Sequence, residues 1–154
     1  MSLKSLGLLG LIGSLSVLAS YLVYGDDFGV KLNIETKFKQ SLLDLSKEDF
    51  WKEKWGKLKE GKIHGDSLKL TKAKETWKIE TMKDACREIY SKAFEGATSN
   101  DFLNFKAYCA LTYEDKLGKD KFQANKEECN TQKDELYLGD TEFKKFEKEC
   151  TKVN

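Results

Sequence analysis

The fold this chain of 154 residues predicts is all-α: an N-terminal transmembrane helix followed by a small helical bundle. Three features carry that expectation. Apolar residues recur at steps of three and four from Ile34 onward, while the alternating pattern of a half-buried strand is almost absent. No proline interrupts the chain, so long helices are permitted. Residues 6–24 are apolar or small without a break.

The first element is the apolar one. Leu3 to Tyr24 is 22 residues. As a helix that is about 33 Å, enough to cross a hydrocarbon core of about 30 Å. Nothing in the stretch offers a polar face, which sets it apart from a buried core helix. A secretory signal has a shorter apolar run, about 7–15 residues, and a small-residue cleavage site. Val17-Leu-Ala19 matches such a site weakly, so residues 1–25 read as an anchor or uncleaved signal, with cleavage as the alternative. Lys4 precedes the run and Asp26 and Asp27 follow it, which orients the amino terminus inside and the bulk outside. Tyr21 and Tyr24 fall at the outer interface. Gly10 and Ser14 form a small-xxx-small pair, a spacing that composition alone also explains.

Residues 26–33 form a juxtamembrane linker, and 34–154 the helical extracytoplasmic domain. Ile34, Phe38, Leu42 and Leu45 stand at helical spacing. Ser46-Lys-Glu-Asp49 reads as a capping box opening the next helix, on which Trp51, Trp55 and Leu58 lie at i, i+4 and i+7. Gly61 ends it. From Gly61 to Leu70 a connection is expected, with extended structure over Ser67 to Leu70, and Thr71 then caps a long helix to about Glu95. That helix carries Ile79, Met82, Cys86, Ile89 and Ala93, and Gly96 stops it. Thr98-Ser-Asn-Asp101 is a second capping box, before a stripe of Phe102, Phe105 and Cys109. Thr112 to Lys121 reads as a polar connection. Phe122, Cys129 and Leu136 share a weakly amphipathic helix, and Asp140 caps the last one, with Phe143, Phe146, Cys150 and Val153 on its face.

Charge narrows the partners. Setting Lys4 aside, 26 basic residues face 26 acidic ones, all beyond residue 25. A neutral domain without a basic tail argues against nucleic acid and against a polybasic grip on anionic lipid. Arg87 is the only arginine, a skew that reads as coding bias in an AT-rich genome.

Cys86, Cys109, Cys129 and Cys150 are 23, 20 and 21 residues apart, all in the outer domain. An even count in an extracytoplasmic setting points to two disulfides. Three connectivities are open. Pairing Cys86 with Cys109 and Cys129 with Cys150 is favoured, because successive helices usually pack as neighbours. Buried free thiols are the alternative; a four-cysteine zinc site lacks the close C-x₂-C pairs it needs.

No catalytic pattern stands out. His64, the only histidine, sits in a glycine-bounded loop and needs a cysteine within reach to make a nucleophile pair. Glu127-Glu128 and similar acidic pairs lie on solvated faces. There is no phosphate loop, H-E-x-x-H or G-x-S-x-G, and no cofactor or metal is expected. Phe50, Trp51 and Trp55 interleave with lysines and are the candidate binding residues. The Trp51, Trp55 and Leu58 face reads first as core, which leaves Phe50 with its neighbouring lysines as the surface that would meet a partner.

The start Met1-Ser-Leu-Lys-Ser-Leu-Gly-Leu-Leu-Gly10 and the segment Phe105-Lys-Ala-Tyr-Cys-Ala-Leu-Thr-Tyr-Glu-Asp-Lys-Leu-Gly118 resemble the paralogous membrane-anchored protein families of haemotropic mycoplasmas. Tyr108-Cys109 matches their aromatic-Cys step, while Ala110-Leu-Thr112 departs from an immediate Cys-Thr. The resemblance implies a cell-surface setting in a wall-less blood-cell parasite and no particular activity. The leading expectation is a single-pass surface protein of the cell membrane, bulk extracellular, with a helical display or binding domain that meets a host-cell surface or another membrane protein. A membrane-tethered hydrolase-type enzyme and a helical subunit or chaperone of a membrane complex are the alternatives.

Overall fold

Helix ends in this chain are set by small polar caps and by places where the backbone must approach a side chain. A computed structural model describes residues 31–153. Asn33 accepts a hydrogen bond from the Thr36 amide at 2.9 Å and opens α1 (Ile34–Lys37), which tightens into a 3-10 turn over Lys39–Ser41. Helix α2 (Glu48–Glu60) ends at Gly61, where a Cβ would collide with the Tyr108 hydroxyl and the Lys57 carbonyl. Ser67 caps α3 (Leu68–Glu75), and α4 (Ile79–Ser91) follows after a short extended break. Ser99 caps α5 (Asn100–Asn104), which widens into a π-helical turn over Phe105–Cys109. Thr112 caps α6 (Tyr113–Leu117), and Gly118, at φ +95°, stops it in a conformation that suits glycine. Helices α7 (Glu127–Gln132) and α8 (Asp140–Cys150) complete the chain. The described residues hold isolated antiparallel bridges but no strand ladder, so the all-α expectation holds for them.

Two apolar clusters form. The larger is built around Trp51, Leu58, Leu70, Met82 and Ile89, with a knot of Phe38, Phe94, Phe102 and Phe105 at ring separations of 5.1–6.1 Å. The smaller gathers Leu117, Phe122, Phe143 and Phe146 under Tyr113 and Tyr137. Each has its own staple. Cys86–Cys109 joins α4 to the π turn, and Cys129–Cys150 joins α7 to α8, with Cα atoms 5.4 and 5.6 Å apart. No free cysteine remains.

Between the clusters runs a polar seam of backbone hydrogen bonds. The Leu111 amide donates to Ser41 O at 2.7 Å, the Tyr137 amide to Leu111 O at 3.0 Å, and Thr112 bridges to Leu136. Ser41 Oγ adds a bond to Tyr137 O at 2.7 Å.

Several elements differ from the sequence expectation. The long helix over 71–95 is two helices, because the chain is extended at Thr76 and Lys78 while Trp77 folds back onto Trp55 at 5.2 Å. Its start lies earlier, at Ser67 rather than Thr71, and its end earlier too: Phe94 donates to Leu32 O and Ile34 to Lys92 O, drawing residues 92–94 out of the helix. Ala93 is consequently exposed. Ser46 does not cap α2; Asp44 accepts from the Ser46 amide and hydroxyl and organises that turn instead. The second cap is Ser99, not Thr98, and α8 begins at Asp140 itself. Leu45 and Val153 are exposed rather than core. Phe122, Cys129 and Leu136 do not share a helix. Only Cys129 lies on α7, while Phe122 pairs with Thr151 in the smaller cluster and Leu136 packs in the larger one. A seven-residue spacing here serves two cores.

The apolar segment Leu3–Tyr24 and the linker up to residue 30 lie outside the described residues. Within those described, no helix is long and apolar enough to cross a membrane.

Candidate functional site

One face of α2 carries Trp51, Lys54 and Leu58 at the i, i+3 and i+7 spacing of a core stripe, and all three are fully buried. A lysine in that position needs a counter-charge, and α6 supplies it. Lys54 Nζ lies 2.5 Å from Asp115 Oδ2, with both side chains essentially sealed from solvent. The same Asp115 closes the capping box of α6, accepting from Thr112 N at 2.9 Å and from Thr112 Oγ1 at 2.8 Å. Burial pushes the Asp115 carboxyl upward, but the Lys54 charge and the hydrogen bonds from Lys54 and Thr112 outweigh it and hold the group below its ordinary range. Burial lowers the Lys54 ammonium, with Asp115 opposing. This pair ties the large cluster to the first helix of the small one.

Directly beside it the seam opens into a cleft of about 650 Å³, within the usual size range of small-molecule sites. Lys57 of α2 and Lys106 of the π turn contribute to one part of its wall, with Lys119 and Lys133 from the C-terminal segment; Glu114 and Asp134 are its two carboxylates. The ammoniums are unequally engaged. Lys119 meets Glu53 Oε1 at 3.0 Å. Partial burial would lower the Lys119 ammonium, but Glu53, with Glu114 and Asp115 behind it, raises it above the usual lysine value. Lys57 stands 3.9 Å from Asp134 and Lys106 3.8 Å from Glu135, both beyond hydrogen-bond length. Lys133 has no carboxylate within ion-pair distance among the described residues.

His64 also lines the cleft, and its loop is held with care. Asn104, itself buried, clamps the His64 backbone from both sides: its Oδ1 accepts from His64 N at 2.9 Å and its Nδ2 donates to His64 O at 2.8 Å. Tyr108 donates to Lys62 O and Lys74 to Gly61 O, each at 2.6 Å. Four bonds therefore fix residues 61–64, and His64 is left half-buried at the cleft wall.

The sequence-predicted binding residues do not form one surface. Trp51 is wholly in the core, its Nε1 donating to Asp44 O at 3.0 Å. Trp55 is half-buried, donates to Ala73 O at 2.9 Å and packs on Trp77. Phe50, expected to be exposed, is half-buried against the larger cluster with Lys47 over its ring at 5.5 Å. A shallow hollow of about 310 Å³ over Ser46–Phe50 is the surface they leave. No cysteine lines the cleft with His64, and all four are in disulfides, so this site holds no Cys–His nucleophile pair. Among the described residues no three His, Cys, Asp or Glu side chains gather as metal ligands.

Sequence reasoning missed the Lys54–Asp115 pair and the cleft above it. Two signals were present: Lys54 falls on the Trp51–Leu58 stripe, and Thr112-Tyr-Glu-Asp115 has the S/T-x-x-acid form of a capping box inside what reads as a polar connection. No protein-family model, curated protein or solved structure matches this chain.

Proposed function

We propose that the chain is a single-pass membrane-anchored surface protein whose residues from 34 onward form a disulfide-stapled helical binding domain. The observation that supports this most is the pairing of every cysteine: each of the two apolar clusters has one buried disulfide joining its own segments. Disulfides form and persist in oxidising compartments and are rare where thiols are kept reduced. Set beside an apolar run of membrane-spanning length with its only lysine on the amino-terminal side, they favour a domain outside the cell.

The cleft supports the binding part of this reading. It is lined by four lysines, three of which have no carboxylate at hydrogen-bond distance among the described residues, on elements held by a buried ion pair and a buried asparagine clamp. The partner classes that fit this reading are a host-cell surface component and another membrane protein. Protease treatment of intact cells, followed by mass spectrometry of the membrane fraction, tests it. Peptides from beyond about residue 30 should be released while residues 1–25 stay with the membrane, the protease being too large to cross a core of about 30 Å. Full protection, with the protein recovered in the soluble cytoplasm, would overturn it.

A further inference from the structure

We infer that the cleft at the seam binds a small multivalent oxyanion, a ligand carrying two or more phosphate or carboxylate groups. The inference deepens the binding-domain reading, but it does not depend on where the chain is anchored.

The reason lies in unused donors rather than in net field. Once Glu53 and Glu135, the ion-pair partners of Lys119 and Lys106, are counted with Glu114 and Asp134, the four lysines of the wall are balanced in charge. Geometry leaves them unequal. An ammonium has three N–H donors, and of the four only Lys119 has a carboxylate at hydrogen-bond distance. Lys57 and Lys106 hold theirs at 3.9 and 3.8 Å, and Lys133 has none among the described residues. An oxyanion entering the cleft would replace long, solvent-screened pairs with short charge-assisted bonds. Several acceptor oxygens are needed to engage Lys57, Lys106 and Lys133 together, which selects a multivalent ligand.

The scaffold beneath is preorganised. Lys106 rides on the π turn, whose last two residues, Tyr108 and Cys109, are pinned by the bond to Lys62 O and by the disulfide to α4. Such turns recur at functional sites in helical proteins. His64 is fixed by Asn104, and Lys57 follows the buried Lys54 by one turn of α2.

Because His64 is the only histidine, its ring protons are an uncluttered reporter. Full-length protein in a neutral maltoside detergent is titrated at constant pH with pyrophosphate, with citrate and with a neutral disaccharide. Saturable movement of the His64 Hε1 resonance is expected with pyrophosphate, citrate or both, and none with the sugar. The response of the two anions separates phosphate from carboxylate preference. Binding should weaken as salt rises from about 50 to about 300 mM. Lys106→Gln/Lys133→Gln, both partly exposed side chains, should weaken binding by about tenfold or more at unchanged melting temperature. Lys69→Gln, outside the cleft, should leave it unaltered. No saturable shift with either anion would overturn the proposal, as would equal binding by wild type and the double variant.

Discussion

Replacing Lys54 with methionine keeps the stem that fills the space between Trp51 and Leu58 and removes the charge. Asp115 is then a buried carboxylate with two remaining hydrogen bonds, both from Thr112, and an Oδ1 that already has no partner. Breaking a buried pair from one side costs about 3–5 kcal/mol. The Thr112 bonds place Lys54→Met toward the lower end, about 3 kcal/mol, a large share of the roughly 5–15 kcal/mol that holds a domain together. Asp115→Asn retains an acceptor for the Thr112 cap but strands the ammonium, for a similar loss of about 3 kcal/mol. The double variant removes both charges and should return to within about 1 kcal/mol of wild type.

The two single variants should also respond to pH in opposite senses. In Lys54→Met the stranded Asp115 is relieved by taking up a proton, so its deficit shrinks as pH falls toward the carboxylate range. In Asp115→Asn the stranded Lys54 is relieved by losing one, and burial already lowers its ammonium from the ordinary 10.5, so its deficit shrinks as pH rises. In the wild type, Asp115 has its carboxyl held below the ordinary 3.8. Its contribution is therefore present above that value and lost as pH falls through the lowered one. Urea melts of the oxidised full-length protein at neutral, acidic and alkaline pH complete the cycle. Unchanged midpoints in the single variants, or a double variant whose loss equals the sum of theirs, would refute the claim that this pair is coupled and buried.

Two further outcomes follow from the packing. The loops closed by the disulfides span 23 and 21 residues, so each contributes roughly 3 kcal/mol in the chain-entropy picture. Cys129→Ala/Cys150→Ala should speed hydrogen exchange in α7 and α8 while α2 and α4 stay protected, since the small cluster has its own staple; uniform loss of protection would contradict two separable clusters. Trp51→Ala should cost about 3–5 kcal/mol by cavity and transfer terms. Trp55→Ala, half-buried with one hydrogen bond, should cost about 2 kcal/mol; equal denaturant midpoints for the two variants would show that burial is not what separates them.

Helical periodicity was enough to determine, from the residues alone, that the chain from residue 34 onward is helical, and the cysteine count to favour its cross-links. Both follow from simple rules: a 3.6-residue apolar repeat specifies a helix face, and an even set of thiols in an oxidising setting favours pairing within the fold, with the partners left to the tertiary structure. Trp51, Met82, Cys86, Ile89, Phe102, Phe105, Phe143 and Phe146 all went to the core as their spacing requires. What tertiary structure alone decided is where helices stop and what lies between them. Trp77 breaks a helix because Trp55 is there to receive it, and residues 92–94 unwind because 32–34 offer hydrogen bonds. Lys54 reads as one more lysine on a lysine-rich helix until α6 brings Asp115 against it from 61 residues away. The cleft is the most distant from local rules. Its walls come from segments spread over residues 57–134, and a site assembled from such separations depends on how two cores meet, which no window of local sequence contains.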